Sequence, residues 1–587
     1  MRRSASLVVL LTIIFACGGK GNSFGNGDGG ESDSSLNPDA PKFGFDAGNA
    51  DSGSGGCTQC SADLHEVLTC GDNPQVVQTC TGNQGCGPNG CIDACDAAAA
   101  NKSSIGCDYY AIPADGWSTT WNSGGAAGNC FAAFVTNNWS SNMNVTLVWK
   151  GQTINGNNFA YLPQGSGSAI TYQKIPTTGI PPNSMAIVFL NDYVPGQGEL
   201  KCNCPSSVQA AVSNEDMVIH QTSVSHAIEI KTDVPAVVYD IYPYGGATSY
   251  ISSATLLLPV TAWDTNYVAT TMSDYSGFPP AVDFIAQQDG TAVTVLPTTN
   301  IIAGSGVAAA TKNSPVTYNI NKGETIHIMQ AVDGSGLDLT GSIVQSNVPI
   351  GVWGEHFCEV ANSPPPWRMV GAVDGTTLTY DPPISGAPAT IKEGQLVEFN
   401  ATPGAFHVVS QDAQHPFYLA AHRPGGDCDA AHQQIPPIKA LGNEYVAVAN
   451  EATNYGVGGP ETVNVVPPAQ FLPSYIFFTD PSYGYTEIAL TRVKAADNTF
   501  HDVNLDCLGN VSGWQAVGTS GKYQYVHVDL RNAQQKVGNC DNGLHTIKSD
   551  VPFGITVWGY DSASSYAYPA GASVKPINTV VVPPTPH

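Results

Sequence analysis

The chain carries 16 cysteines, and their spacing offers the first chemistry. Seven of them, Cys57, Cys60, Cys70, Cys80, Cys86, Cys91 and Cys95, crowd one short stretch. Thiols at that density either form cystines or hold a metal. Cys57-Thr-Gln-Cys60 has zinc-ligand spacing, but the later intervals are uneven, which favours a disulfide-held miniature domain. So short a segment buries too little apolar surface to fold without cross-links. Seven is odd, so one bond must leave the segment, and Cys107 is a candidate partner. Cys130, Cys202 and Cys204 have no assignable partners, because two cysteines one residue apart rarely bond each other.

Other reactive side chains form no recognisable constellation. There is no Gly-x-Ser-x-Gly elbow and no Gly-x-x-x-x-Gly-Lys phosphate loop. His356, His407, His415, His422 and His432 are near one another in sequence but lack the i, i+4 helical spacing of a metal site. The carboxylates are scattered. Two of them could still serve a glycosidase without a local signature, but the expectation is no catalytic residue, no cofactor and no metal. Trp117, Trp121, Trp139, Trp149, Trp263, Trp353, Trp367, Trp514 and Trp558, with Tyr242, Tyr244, Tyr566 and Tyr568, are the leading candidates for contact with a ligand. Exposed rings on a rigid scaffold stack on sugars or anchor protein contacts. Trp353 and Trp558 occupy similar places in a repeat and are expected in the core instead.

The N-terminus indicates a compartment. Arg2 and Arg3 precede an apolar stretch from Leu7 to Phe15, too short to span a bilayer and shaped like a signal peptide. It ends Ile14-Phe15-Ala16-Cys17, which resembles a bacterial lipobox and makes Cys17 the expected lipidated residue after processing. Residues 1–17 are thus read as a lipoprotein signal and 18–56, rich in Gly, Ser, Asn and Asp, as a disordered linker. Such a chain sits in the bacterial cell envelope, as an outer-membrane lipoprotein facing the periplasm or the exterior, with the lipid in the membrane. Oxidising surroundings there allow the cysteines to pair.

Composition and repetition describe what must position these groups. Only 12% of residues are charged, while Gly (62), Pro (41) and Tyr (24) are abundant, as many short strands and turns require. A net charge of -26 argues against nucleic acid, whose phosphates need clustered Lys and Arg. A phrase recurs around Val234-Pro235, Val348-Pro349 and Val551-Pro552, with a worn copy at His415-Pro416. Each copy reads as strand, polar turn closed by proline, and strand. Asp289-Gly-Thr matches Asp374-Gly-Thr, and Gly323-Glu matches Gly394-Gln. A Leu258-Pro lead-in to the tyrosine strand at Tyr267 recurs as Ile435-Pro before Tyr445 and Leu472-Pro before Tyr475. Fixed self-similarity of this kind means one supersecondary unit reused. The expected fold is all-β: tandem antiparallel β-sandwich-like repeats behind the small disulfide-rich module (57–95). The uneven spacing of the signature prolines disfavours the alternative, a β-propeller-like arrangement. Units are placed roughly at 106–255, 256–365, 366–432 and 433–575, with a tail at 576–587.

These pieces resemble the N-terminal domain family of IgGFc-binding protein over residues 96–575. The resemblance rests on Ser104-Ile-Gly-Cys107-Asp-Tyr-Tyr, Tyr239-Asp-Ile-Tyr-Pro-Tyr-Gly-Gly246, Leu258-Pro-Val-Thr-Ala-Trp-Asp-Thr-Asn-Tyr267, Gln434-Ile-Pro-Pro437 and Ser564-Ser-Tyr-Ala-Tyr-Pro-Ala-Gly571, in that order. Where the family has Cys-Asp-His-Leu-x-Glu-Gln, this chain has Cys428-Asp-Ala-Ala-His-Gln-Gln434, so roles of that histidine and glutamate do not transfer. The resemblance implies a Cys358–Cys428 bond between neighbouring units, and Cys507 and Cys540 read as a second bridge. It implies a non-catalytic surface protein whose partner is a glycan, a glycoprotein or another surface protein. The role expected is adhesion, including adhesion to a neighbouring cell, with a structural envelope or matrix component as the alternative.

Overall fold

The computed structural model describes residues 57–61, 63–71, 74–113, 129–193, 202–249, 252–271, 279–331, 338–356, 366–400, 404–423, 433–435, 442–448, 458–459, 461–561, 564–573, 577–578 and 580–582. The signal and linker, Trp117, Trp121, Cys17, Cys358, Cys428 and His432 lie outside them. The described chain is almost wholly antiparallel β-sheet, with one α-helix, Ala94–Asn101, among the described residues. Asp93 caps that helix by accepting from the Cys95 and Asp96 amides. It closes the cysteine-rich module, whose bonds are Cys57–Cys70, Cys60–Cys86, Cys80–Cys91 and, outward, Cys95–Cys107.

Beyond the module the sheets group into four units built to one plan. Three of them have a long central strand that serves two sheets: Ile228–Tyr242, Ile343–His356 and Leu544–Tyr560 in the first, second and fourth units. In the first unit, Glu229–Thr232 pair with Val145–Trp149, whereas Ala236–Ile241 pair with Phe131–Asn137. The second and fourth central strands divide in the same way between their neighbours. One strand bent between two sheets makes the corner of a sandwich.

The Val-Pro phrases fall on these bends, which corrects the strand–turn–strand reading. Three of the four copies run through the proline as a continuous strand. A proline donates no backbone hydrogen bond, so it suits the point where one partner strand ends and another begins. In the worn copy the strand does break, into Ala405–Ser410 and Phe417–Arg423, around Asp412 and Pro416.

The tyrosine lead-in and the Val-Pro phrase prove to be two halves of one device. The Tyr267 hydroxyl accepts from the Asp264 amide (2.6 Å) and donates to the Ile350 carbonyl (2.8 Å), one residue past Pro349. Tyr445 joins Gly442 to Phe417, past Pro416, at 2.6 Å each. Tyr475 joins Leu472 (2.8 Å) to Phe553, past Pro552, at 2.5 Å. Tyr109 donates to Ala236, past Pro235, at 2.6 Å. Every bend is thus pinned by a buried phenol that satisfies a carbonyl the bent ladder leaves over.

Each central strand ends against a short closing strand: Ser253–Leu257, Gln433–Ile435, Glu461–Asn464 and Ser565–Pro569. Each of these four lies beside two others, the last beside the first, so they surround a common axis and the units form a closed ring. The third unit is assembled out of chain order. Its body, 366–423, lies between the second central strand and that strand's closing partner, and its tyrosine strand, Glu444–Val448, follows. Strand pairing therefore runs across the sequence cut at 432/433.

Candidate functional site

Counting from each pinned carbonyl aligns the four units residue by residue. Three positions on, the central strand carries Tyr239, Trp353, Ala420 and Thr556. Across from them stand Phe134, Asp283, Arg368 and Ala489, and on the next strand Ile187, His327, Glu398 and His527. One rung of the sheet is thus apolar in the first unit and ionisable in the other three. Strand alternation puts a rung on a single face. In the second unit Phe284, Val293, Ile326 and Val352 fill the sandwich interior, so Asp283, His327 and Trp353 face outward, against the neighbouring unit.

The joints between units use these rungs. Between fourth and first, the Tyr239 hydroxyl donates to the Ile476 carbonyl (3.0 Å) and contacts the Ala570 carbonyl. Between first and second, Trp263 sits between Tyr110 (5.5 Å) and Trp353 (6.1 Å, perpendicular). Beside them His327 Nδ1 lies 3.1 and 3.2 Å from the Asp283 carboxylate oxygens and 4.0 Å from Glu355 Oε2. All three are buried. Between second and third, Arg368 reaches Asp338 Oδ2 (2.7 Å), Glu398 (3.0 Å) and the Thr271 carbonyl. In the fourth unit His527 is paired with Glu487 at 2.5 Å.

A charged seam also joins first to second. Glu229 accepts from Tyr110 (3.0 Å) and lies 2.9 Å from Lys231 and 3.1 Å from Lys322 of the second unit. Burial, and then repulsion from Glu229, push the Asp108 carboxyl up to about 6, against the pull of Lys231.

At the third–fourth joint the sign is opposite. Burial would raise the Glu444 carboxyl, but bonds from His407 (2.8 Å), Tyr523 (2.7 Å) and Lys522 (2.9 Å) outweigh it and hold it at about 2. A folded value below the unfolded one contributes stability above the ordinary glutamate range, lost as pH falls from about 4.5 towards 2. Glu444→Gln should therefore lower the free energy of unfolding at pH 5 by on the order of 2 kcal/mol, discounted because the group is partly exposed, and lower the urea midpoint with it. At pH 2 it should make little difference. Urea titrations at the two pH values check this.

The aromatic candidates among the described residues turn out to be structural. Trp139, Trp149, Trp263, Trp353, Trp367 and Trp558 are buried, as are Tyr242, Tyr244, Tyr566 and Tyr568, and Trp514 is half-buried under Arg492. Sandwich interiors and unit joints together need more large apolar surface than one core, and these rings supply it. Trp558 stands two residues further from its pinned carbonyl than Trp353 does, so it packs one pleat along, in the third–fourth core. Among the histidines, His407 joins Glu444, His415 joins Asp412 (2.7 Å), and buried His422 meets Thr462 (2.7 Å). Cys130 is bonded to Cys204, and Cys507 to Cys540. Cys202 is a free thiol that burial pushes up to about 11, too high for a nucleophile at neutral pH. The Asp283–His327–Glu355 cluster had no local signature: its members come from three strands and converge only through pairing.

Comparison with known proteins agrees with this architecture. The family model described as IgGFc binding protein matches residues 253–365, 353–427 and 449–559, stretches that contain most of the second, third and fourth units. The human protein named IgGFc-binding protein is 22% identical over 399 residues, covering 62% of this chain and 6% of its own length. The chain thus spans a small fraction of that relative. No solved structure matches. The three matched stretches and the repeated plan show that this chain, through residues 253–559, belongs to the IgGFc-binding protein family.

Proposed function

We propose that this protein is a non-catalytic binding protein of the cell envelope, anchored by lipid on Cys17, that recognises a glycan, a glycoprotein or the surface of a neighbouring cell. The face proposed for contact is the axial end of the ring where the closing strands begin. One observation carries this reading. The Ser252 hydroxyl donates to the Ser565 carbonyl, and the Ser565 hydroxyl to the Gly459 carbonyl (2.8 Å), which ties together the starts of closing strands from three units. The starts of these closing strands therefore lie together at one end of a rigid scaffold, and such ends are where β-folds present binding loops. Six described disulfides suit an oxidising compartment. Binding of immunoglobulin Fc belongs to the name of the human relative and is not part of the proposal. A glycan and glycoprotein array probed with the purified protein tests it. Saturable retention without turnover is expected. An array with no retained ligand, or release of a cleaved product, would refute it.

A structural role, in which copies pack with one another, has one observation in its favour. Val76–Thr79 is an edge strand of the cysteine-rich module, and Val76 and Val77 are 53% and 57% exposed. Exposed apolar edges pair with other chains. Sedimentation across a concentration series, with Val77→Lys as control, separates this reading from the first.

A further inference from the structure

Three ionisable side chains, Asp283, His327 and Glu355, meet on one face of the second unit's sheet, at its joint with the first. Asp283 is in the middle strand, His327 directly opposite on one neighbour, and Glu355 diagonal on the other, two residues beyond Trp353. Each of the three has at most 4% of its side chain exposed. One donor atom from each, a ring nitrogen of His327 and one oxygen from each carboxylate, lies within 4.8 Å of the other two. With Nδ1 3.1 Å from Asp283 and 4.0 Å from Glu355, a point about 2.4 Å or less from all three exists. That is within a few tenths of an ångström of the bonds of zinc and similar divalent ions.

We infer that Asp283, His327 and Glu355 form a binding site for a divalent transition-metal ion that braces the joint between the first and second units. Charge supports this. An imidazolium between two carboxylates leaves these three groups at a net of minus one in a buried place, whereas a neutral imidazole, two carboxylates and a divalent ion sum to zero. The ring gives an independent comparison. At the same rung of the third unit the middle strand supplies its own cation, Arg368, facing Glu398 and Asp338. In the second unit that middle position is an acid, Asp283, with no arginine at this rung, which leaves room for a cation from solution. The donor set of one imidazole and two carboxylates suits Zn2+, Co2+ or Mn2+. Three adjacent strands of one sheet hold the donors in place before the ion arrives. Among the described residues the other group of potential ligands, Asp506, Cys507 and His545, is ruled out as a thiolate site because Cys507 is bonded to Cys540.

The test uses the untagged full-length protein with its disulfides intact, stripped with a chelator and titrated with Co2+ and Zn2+. About one equivalent of Co2+ is expected to develop visible d–d absorption, displaced by Zn2+. Saturating Zn2+ should raise Tm by at least about 2 °C. Glu355→Gln, which keeps the shape, should weaken Co2+ binding at least about tenfold. His415→Ala, a surface control, should leave it unchanged. Wild-type protein that gives no absorption and no Tm rise with either ion overturns the inference, whether or not the variant folds. So does a Glu355→Gln protein that binds Co2+ as the wild type does.

Discussion

Arg368→Ala should destabilise the protein by about 3–5 kcal/mol, the largest single-residue effect expected in the ring. The guanidinium is 3% exposed and reaches across the second–third joint to Asp338, itself 3% exposed, and to the Thr271 carbonyl. Truncation leaves a buried carboxylate and a buried carbonyl without this donor, and a buried charge stranded in that way costs far more than the pair contributed net. Glu398, the other partner, is 47% exposed and can turn to water, so it adds little to the loss. Adding Asp338→Asn to the first change removes the stranded charge and should recover much of the stability. Urea unfolding of the single and double variants measures both. A single variant within about 0.5 kcal/mol of wild type would mean that the joint is open to solvent.

The second large effect belongs to the tyrosines at the bends. Tyr267→Phe and Tyr475→Phe each delete a hydroxyl that bridges an amide and a carbonyl in a buried place. Each should cost about 1–3 kcal/mol, since both backbone groups lose their partner while the ring's packing is kept. Losses at the two sites should add, because they lie in different units and share no partner. Tyr109→Phe and Tyr445→Phe should behave alike if the bend is one device used four times. Tyr161, whose hydroxyl accepts from the Gln209 amide away from any bend, is the comparison. Removing it leaves no carbonyl stranded and should cost less.

Much of this architecture was legible in the sequence, and the limits of that reading have physical causes. The Val-Pro phrases and the tyrosine lead-ins were visible as repeats, because each is local. That they touch was not, because 83 residues separate Tyr267 from Ile350 and only sheet pairing joins them. Tyr109 was missed as a copy because Cys107-Asp-Tyr-Tyr shares no Leu-Pro lead-in with the others. The proline was read as a turn, the commoner use of proline between β-rich runs; here the partner strands change at that point and the strand does not. The Asp283–His327 pair is 44 residues apart and follows from register alone. Trp353 and Trp558 were expected in the core and are there, but the other rings were offered as candidates for ligand contact because composition cannot tell a ring in a joint from one in solvent. Fold class came from composition and repeated phrases, whereas the site came from pairing.

The claim on which the rest depends is that the four units close into a ring, with the fourth unit joined to the first. Among the backbone amides that donate across that closure are Ser104 to Ala572 O (2.7 Å), Gly167 to Asn542 O (2.8 Å), Gly245 to Asp480 Oδ2 (2.7 Å) and Ala572 to Ser104 Oγ (3.1 Å). All four belong to loops or strand ends and would exchange rapidly in an open chain of units. Residue-resolved hydrogen exchange of the native protein decides the matter. In a closed ring these amides are protected as strongly as those of the central strands, because they open only when a unit is lost. Exchange at Ser104, Gly167, Gly245 and Ala572 as fast as in solvent-exposed turns would contradict the ring.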